Sequence, residues 1–362
     1  MTMTGSEIAQ LRLLNQRIAA PGFERPEEVV DWLGAVQAQD YAGAKWALGL
    51  RMCGATDKDL DKAFNEGTIL RTHVMRPTWH FVRPADIRWL LKLTAPRVHA
   101  ASAYMYRRAE LDDATFKRSD TVLAKALEGG KHLTRNELRV ILENAGIPTN
   151  DGVRMSYLMM HAELEGIICS GPRRGKQFTY ALLEERAPQA RTLEREEALA
   201  ELSHRFFRSR GPASVQDFAK WSGLTLAESR AGLEAVKTGL EHETVDNQEY
   251  CFPRPRTSVI TDALSAYLLS VYDEYISGYK NRSALDGGDF ARPFSTMGNM
   301  LQYVILIDGK FVGTWKRTLK KGTVIIQLNP LKELSEEEYK AIAEVAERYS
   351  AFLELPVDLT WE

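Results

Sequence analysis

The residues of this chain best equipped for chemistry lie together in Val36-Gln37-Ala38-Gln39-Asp40-Tyr41. A glutamine amide offers an acceptor oxygen and two donor hydrogens and carries no charge near neutral pH. Two such groups can fix one water molecule and turn negative dipole towards a developing cation. Neither is a strong base. Whether they cooperate depends on the backbone, because residues two apart face nearly opposite sides of a helix but the same side of an extended segment. The preceding stripe of Val29, Trp32, Leu33 and Val36 has helical spacing. One more turn would put Asp40 near the centre of that stripe, where an unpaired carboxylate is costly. The helix is therefore expected to stop around residues 37–40, with Gly43 permitting the turn. The opened backbone would then let Gln37 and Gln39 converge on one site. The alternative is a polar helix end capped by amides, and Asp40 reads as a cap rather than a base.

Other chemical signals are weak. Gly171 to Lys176 resembles a phosphate loop only loosely, being one residue short and lacking the following Ser or Thr. No histidine pair has the spacing of a zinc-binding helix, so neither a metal nor a cofactor is expected, and His161 and His204 read as structural or DNA-facing. Cys53, Cys169 and Cys251 are far apart and show no paired ligand spacing, which suits ordinary thiols in a reducing, cytoplasmic compartment. Asp273 and Glu274 are open to two readings, a functional carboxylate pair or, the preferred one, a structural hydrogen-bonded pair at a domain junction.

Composition sets the class. The chain has 362 residues, 44% hydrophobic and 27% charged, the balance of a globular protein with more than one unit. No apolar run approaches the roughly 18 residues that span a bilayer, and no membrane partner is expected. The net charge of −2 argues against a uniformly basic surface, yet its distribution is uneven. Eight basic residues fall between Arg71 and Arg108 with one acid, Asp86, among them. Such a face suits one oriented contact with DNA phosphates, and a solvated helix surface is the alternative.

The elements that must hold these residues repeat a plan. Thr134-Arg135-Asn136-Glu137 is a capping box that opens a helix, stopped by Gly146-Ile147-Pro148. A second helix is expected from near Asp151 to Gly166, then a hairpin through 167–182 whose tip carries Arg173, Arg174 and Lys176. Helix, turn, helix and basic hairpin is the order of a winged helix. The order recurs in 214–252, with Asp246-Asn247 as the hairpin turn. It also recurs in 7–82, where strands at 68–74 and 78–82 flank Met75-Arg76-Pro77. After about Pro255 the pattern changes to strands at 268–272, 302–307, 311–316 and 323–328, with a capping box at Ser335-Glu336-Glu337-Glu338. The expected fold class is mainly α with β-hairpin wings: three tandem winged-helix units plus a C-terminal β-rich (α+β) domain. The expected boundaries are 1–110, 111–190, 191–256 and 257–362.

Several separated segments resemble one family in the right order. Leu33-Gly34-Ala35-Val36-Gln37-Ala38-Gln39 is similar to the Gln–apolar–Gln motif of the AlkZ-like (YcaQ-like) winged-helix DNA glycosylases. Arg71 to Val82, Gly211 to Leu224, Asp273 to Ser283 and Val312 to Arg317 extend the likeness over nearly the whole chain. The resemblance implies a metal-independent, monofunctional glycosylase acting on double-stranded DNA that carries N-alkylated purines, with crosslink unhooking in some members. It makes Gln37 and Gln39 the catalytic pair. Gln rather than Asp at the second motif position is linked in the family to narrower substrate use. Arg71, His73 and Arg76, near the first hairpin, and Arg173, Arg174 and Lys176, at the wing tip, are the candidate DNA contacts. The competing reading is a winged-helix DNA-binding protein without catalysis, a transcription factor or lesion sensor.

Overall fold

Two residues near the glutamine pair decide its setting, Gly34 on one side and Trp46 on the other. The computed structural model describes residues 3–149, 152–254, 264–285 and 302–361. Helix Pro26–Leu33 ends at Gly34, whose φ of +78° is open to glycine and strained for other residues. The helix thus stops several residues before the expected 37–40, and Val36–Gln37 forms a short strand. Gly43 is not the turn. It lies inside helix Tyr41–Gly49, where a Cβ would meet the Asp40 carboxylate at 2.9 Å. Replacing Gly34 by alanine is expected to cost about 1–2 kcal/mol of stability, from the left-handed backbone alone, as read by urea unfolding.

The chain divides into two compact units, 1–60 with 200–221 and 226–362, and 61–199 with 222–225. In the first, a five-stranded sheet runs in the order Val357–Trp361, Thr323–Pro330, Lys310–Lys320, Tyr303–Ile307, Ala266–Leu269. All its pairings are antiparallel except that of the terminal strand, which runs parallel to Thr323–Pro330. Val324, Ile326 and Leu328 are buried at alternate positions, the period of a strand with one covered face. Asp308 and Gly309, both at positive φ, close the expected hairpin turn. Helix Glu336–Leu353 begins with the expected capping box, Ser335 and Glu338 bonding each other's backbone N–H. It buries Ile342, Ala346, Tyr349 and Phe352 along one stripe. Trp46 seals helix Tyr41–Gly49 to this core: its indole N–H donates to the Leu268 carbonyl at 2.7 Å and its ring lies 4.7 Å from Tyr349.

The second unit pairs strands Leu70–Val74 and Arg76–Val82 around Met75, which takes φ +63°. Helix Ile87–Arg108 follows, then helices Asp113–Leu127, Arg135–Asn144 and Gly152–Leu164. Strands Leu133–Thr134, Thr179–Leu182 and Ile168–Ser170 form an antiparallel sheet in that spatial order. The expected helix start near Asp151 and the expected change of style at Pro255 fall outside the described residues. Thr134 and Glu137 make the expected capping box, and Arg174 adds a charged bond that helps draw the Glu137 carboxyl down to about 2. Thr134→Ala should cost about 1 kcal/mol in urea unfolding at neutral pH. Because the folded Glu137 value is depressed, its contribution is complete above the ordinary value of 4.5 and fades as pH falls towards 2. Glu137→Gln should flatten that part of the stability–pH curve.

Helix makes up about 50% of the structure and strand 21%, an α+β fold. No described helix is long and apolar enough to cross a membrane.

Candidate active site

In the first unit one buried ion pair grips the backbone leading to the glutamines. Arg210 and Glu274 are both fully buried and meet at 2.6 Å. Arg210 donates to the carbonyls of Leu33 at 2.7 Å and Ala35 at 3.2 Å. Glu274 accepts the Gln37 N–H at 2.9 Å through Oε1 and the Trp221 indole N–H at 2.8 Å through Oε2. Two carbonyls and one N–H of the motif's approach are thereby satisfied by a single clamp, which holds this backbone out of a helix. The Arg210 guanidinium also lies 4.2 Å from the Trp221 ring centre. Burial pushes that guanidinium below its ordinary range, and Glu274 opposes the shift.

Asp273 is equally structural. It holds Arg51 through both carboxylate oxygens, at 2.9 and 3.0 Å, and caps the short helix Glu274–Ser277 through the Tyr275 N–H. Both carboxylates are thus held in buried ion pairs, each with a different arginine. What the sequence did not disclose is that Glu274 and Arg210 reach the glutamine motif, because 64 residues separate them.

The two glutamines have different surroundings. Gln37 is buried, at 7% exposure, whereas Gln39 lies exposed at the surface just before helix Tyr41–Gly49. Asp40 occupies the N-cap position of that helix but makes no capping bond with its side chain, contrary to expectation. Its Oδ2 instead accepts the Tyr303 hydroxyl at 2.6 Å. Burial raises the Tyr303 phenol, so it stays protonated and donates. A neutral amide at the surface, next to a carboxylate occupied by a phenol, is equipped to hold water and dipoles rather than to remove protons.

In the second unit an open cleft of about 560 Å³ and another of about 420 Å³ stand out, and the smaller includes two of the six expected DNA contacts, Arg71 and Lys176. Arg71, Trp79, Arg135, Lys176, Phe178 and Tyr180 line it. The Arg71 guanidinium lies between two rings, 4.3 Å from Trp79 and 4.7 Å from Phe178. His73 is buried, bonded to Glu163 through Nδ1, with its ring 4.3 Å from Trp79. Arg76 is half-buried and reaches His80 at 3.2 Å. At the hairpin tip Arg173 pairs with Asp61 at 3.5 Å and Arg174 with Glu137 at 2.7 Å, while Lys176 is exposed. Cation and aromatic face together suit phosphate and base. Arg135, which no sequence signal singled out, also lines this cleft, and its guanidinium donates to Ser156 Oγ at 2.7 Å.

A family model described as "AlkZ-like: DNA glycosylase AlkZ-like" matches residues 30–352. A protein of Streptomyces sahachiroi, "Interstrand DNA cross-link repair glycosylase", is 23% identical over 311 residues, 80% of this chain and 81% of that one. The solved structure of "Streptomyces sahachiroi DNA glycosylase AlkZ" matches with a TM-score of 0.81 at 19% identity, covering 99% of this chain and 100% of that one. At that identity the structural likeness speaks for the fold.

Proposed function

Because this chain belongs to the AlkZ-like DNA glycosylase family, we propose that it is a monofunctional repair glycosylase that hydrolyses the N-glycosidic bond of N7-alkylated purines, crosslinked purines included. The observation that carries the reading is the Arg210–Glu274 clamp, which fixes an extended backbone at Gln37 two residues before the exposed Gln39. A buried ion pair spent on two glutamines at the end of a short helix makes chemical sense if their placement matters.

An N7-alkylated purine is already cationic, so the base leaves without a general acid. As the C1′–N9 bond breaks, its electron pair neutralises the purine and positive charge gathers on the sugar, as in glycoside hydrolysis generally. Gln39 holds the water whose oxygen bonds C1′, and Gln37 turns its carbonyl dipole towards the oxocarbenium-like centre. The water's proton passes to solvent. Asp40, tied to Tyr303, orients the segment rather than acting as base.

Duplex DNA carrying alkylated bases is the proposed partner. Residues 1–110, 111–190 and 191–256 are proposed as three tandem winged-helix units, and 257–362 as the C-terminal β-rich domain. Arg71, His73, Arg76, Arg173, Arg174 and Lys176 are the proposed DNA-binding set. Lys176 is the phosphate contact, and Arg71 and His73 shape the aromatic floor. Lys176→Ala should weaken binding alike for all sequences and lower the slope of log affinity against log salt by about 1. An unchanged slope would remove Lys176 from the contact. The free thiols of Cys53, Cys169 and Cys251 support a reducing, cytoplasmic setting.

The test is incubation of a duplex containing N7-alkylguanine, without added metal, followed by mass analysis of released bases. Free modified base supports the reading. Tight binding to one operator, with no base released from any alkylated duplex, would make the protein a non-catalytic DNA binder.

A further inference from the structure

Away from the glutamine motif in sequence, helix Ile87–Arg108 and the end of helix Gly152–Leu164 bring two histidines and a glutamate together. The ligand atoms of His99, His161 and Glu165 lie within 4.8 Å of one another. His161 and Glu165 are four residues apart, one helical turn, and so share a face. His99 Nε2 stands 3.0 Å from Glu165 Oε1, and His161 Nδ1 stands 3.2 Å from Asp120 Oδ2. Neither nitrogen makes a hydrogen bond, although both are enclosed. A His99 nitrogen and a Glu165 oxygen this close, yet not aligned as donor and acceptor, are placed as two ligands of a single ion would be.

The surroundings repeat the logic. His99 Nδ1 is bonded to the Tyr106 hydroxyl at 2.9 Å, which leaves Nε2 for an ion. His161 Nδ1 faces Asp120 Oδ2 at 3.2 Å without an aligned hydrogen bond, so a small rotation of the ring would make Asp120 its outer partner and leave Nε2 for the ion. Metal-bound imidazoles characteristically engage such a partner through their second nitrogen. The His161 ring stacks on Phe116 at 3.9 Å and 7°, which fixes its plane. Asp120, His161 and Glu165 also line the open cleft of about 560 Å³, which gives an ion and its water a way in.

We propose that His99, His161 and Glu165 form a binding site for a divalent first-row transition ion, zinc(II) being the best match, with water completing the coordination. Two imidazoles and a carboxylate are a standard zinc donor set, and bonds of about 2.0–2.1 Å require ligand spacings of about 3.3 Å, a modest contraction here. The ion would staple helix Ile87–Arg108 to helix Gly152–Leu164. Magnesium, which prefers oxygen donors, should be refused. This site is independent of the proposed glycosylase chemistry and stands or falls without it.

Untagged full-length protein, stripped by chelator dialysis, is titrated with zinc(II) by calorimetry and with cobalt(II) by visible absorption. One equivalent should bind, with cobalt giving intense bands of low-symmetry coordination, and zinc should raise the melting temperature. His161→Ala and Glu165→Gln should each weaken binding at least about tenfold, and Asp120→Asn about 10–100-fold as an outer partner. Circular dichroism of the metal-free variants checks folding, and the wild-type cobalt spectrum needs no variant at all. Cys53→Ser and His204→Ala should leave affinity unchanged. No stoichiometric zinc binding, affinity undiminished in the His161→Ala/Glu165→Gln double variant, or loss of binding in Cys53→Ser would overturn the proposal.

Discussion

Gln37→Ala and Gln39→Ala should each slow release of N7-alkylguanine by about 10²–10³-fold, the usual effect of removing one preorganised dipole from a charged transition state. The double variant should fall short of the product of the two, because both amides act on one water and one cation. The Gln37 N–H that Glu274 accepts is a backbone group, which neither substitution removes. Thermal melting and DNA affinity should therefore stay close to wild type while turnover collapses. Gln39, the exposed member, should show the larger loss if water placement dominates. Gln37 should show it if dipole stabilisation does.

Glu274→Ala is expected to have the largest effect on stability. It leaves the Arg210 guanidinium buried without its counter-charge and strips partners from Gln37 N–H and Trp221. Breaking a buried pair from one side costs about 3–5 kcal/mol. Replacing both partners by apolar residues is often harmless elsewhere, but it should not rescue this site. The carbonyls of Leu33 and Ala35 and the Gln37 N–H would remain without donors or acceptor. Urea unfolding of Glu274→Ala and of Glu274→Leu/Arg210→Met tests this. A double variant as stable as wild type would mean that the clamp does not hold the motif.

These predictions combine what the sequence states openly with what it conceals. Local backbone chemistry was open: Asp246-Asn247 and Asp308-Gly309 form their turns at positive φ, and the boxes at Thr134 and Ser335 cap their helices. The break before Gln37 was also legible, since a helix carried onward would have pressed Asp40 towards the core. Its position was misplaced because Gly34, not Gly43, carries the left-handed turn. Long-range contacts were hidden. Nothing local links Arg210 or Glu274 to residue 37, and nothing near Asp40 announces Tyr303. Helix Ile87–Arg108 was masked by Pro96 in its interior and by a run of basic residues that reads first as charge. Strand Val357–Trp361 is largely exposed and lacks a buried alternation, so only its pairing with Thr323–Pro330 defines it. The His161–Glu165 turn was visible as spacing, but His99 lies 62 residues earlier than His161, and only the packing of the helices joins them.

The most direct measurement is a single-turnover assay on one duplex bearing N7-alkylguanine, comparing wild type with Gln37→Ala/Gln39→Ala under identical buffer. Wild type should liberate the modified base and leave an abasic strand, and the double variant should bind the duplex yet liberate almost none. Equal rates for the two proteins would contradict the role given to the amide pair.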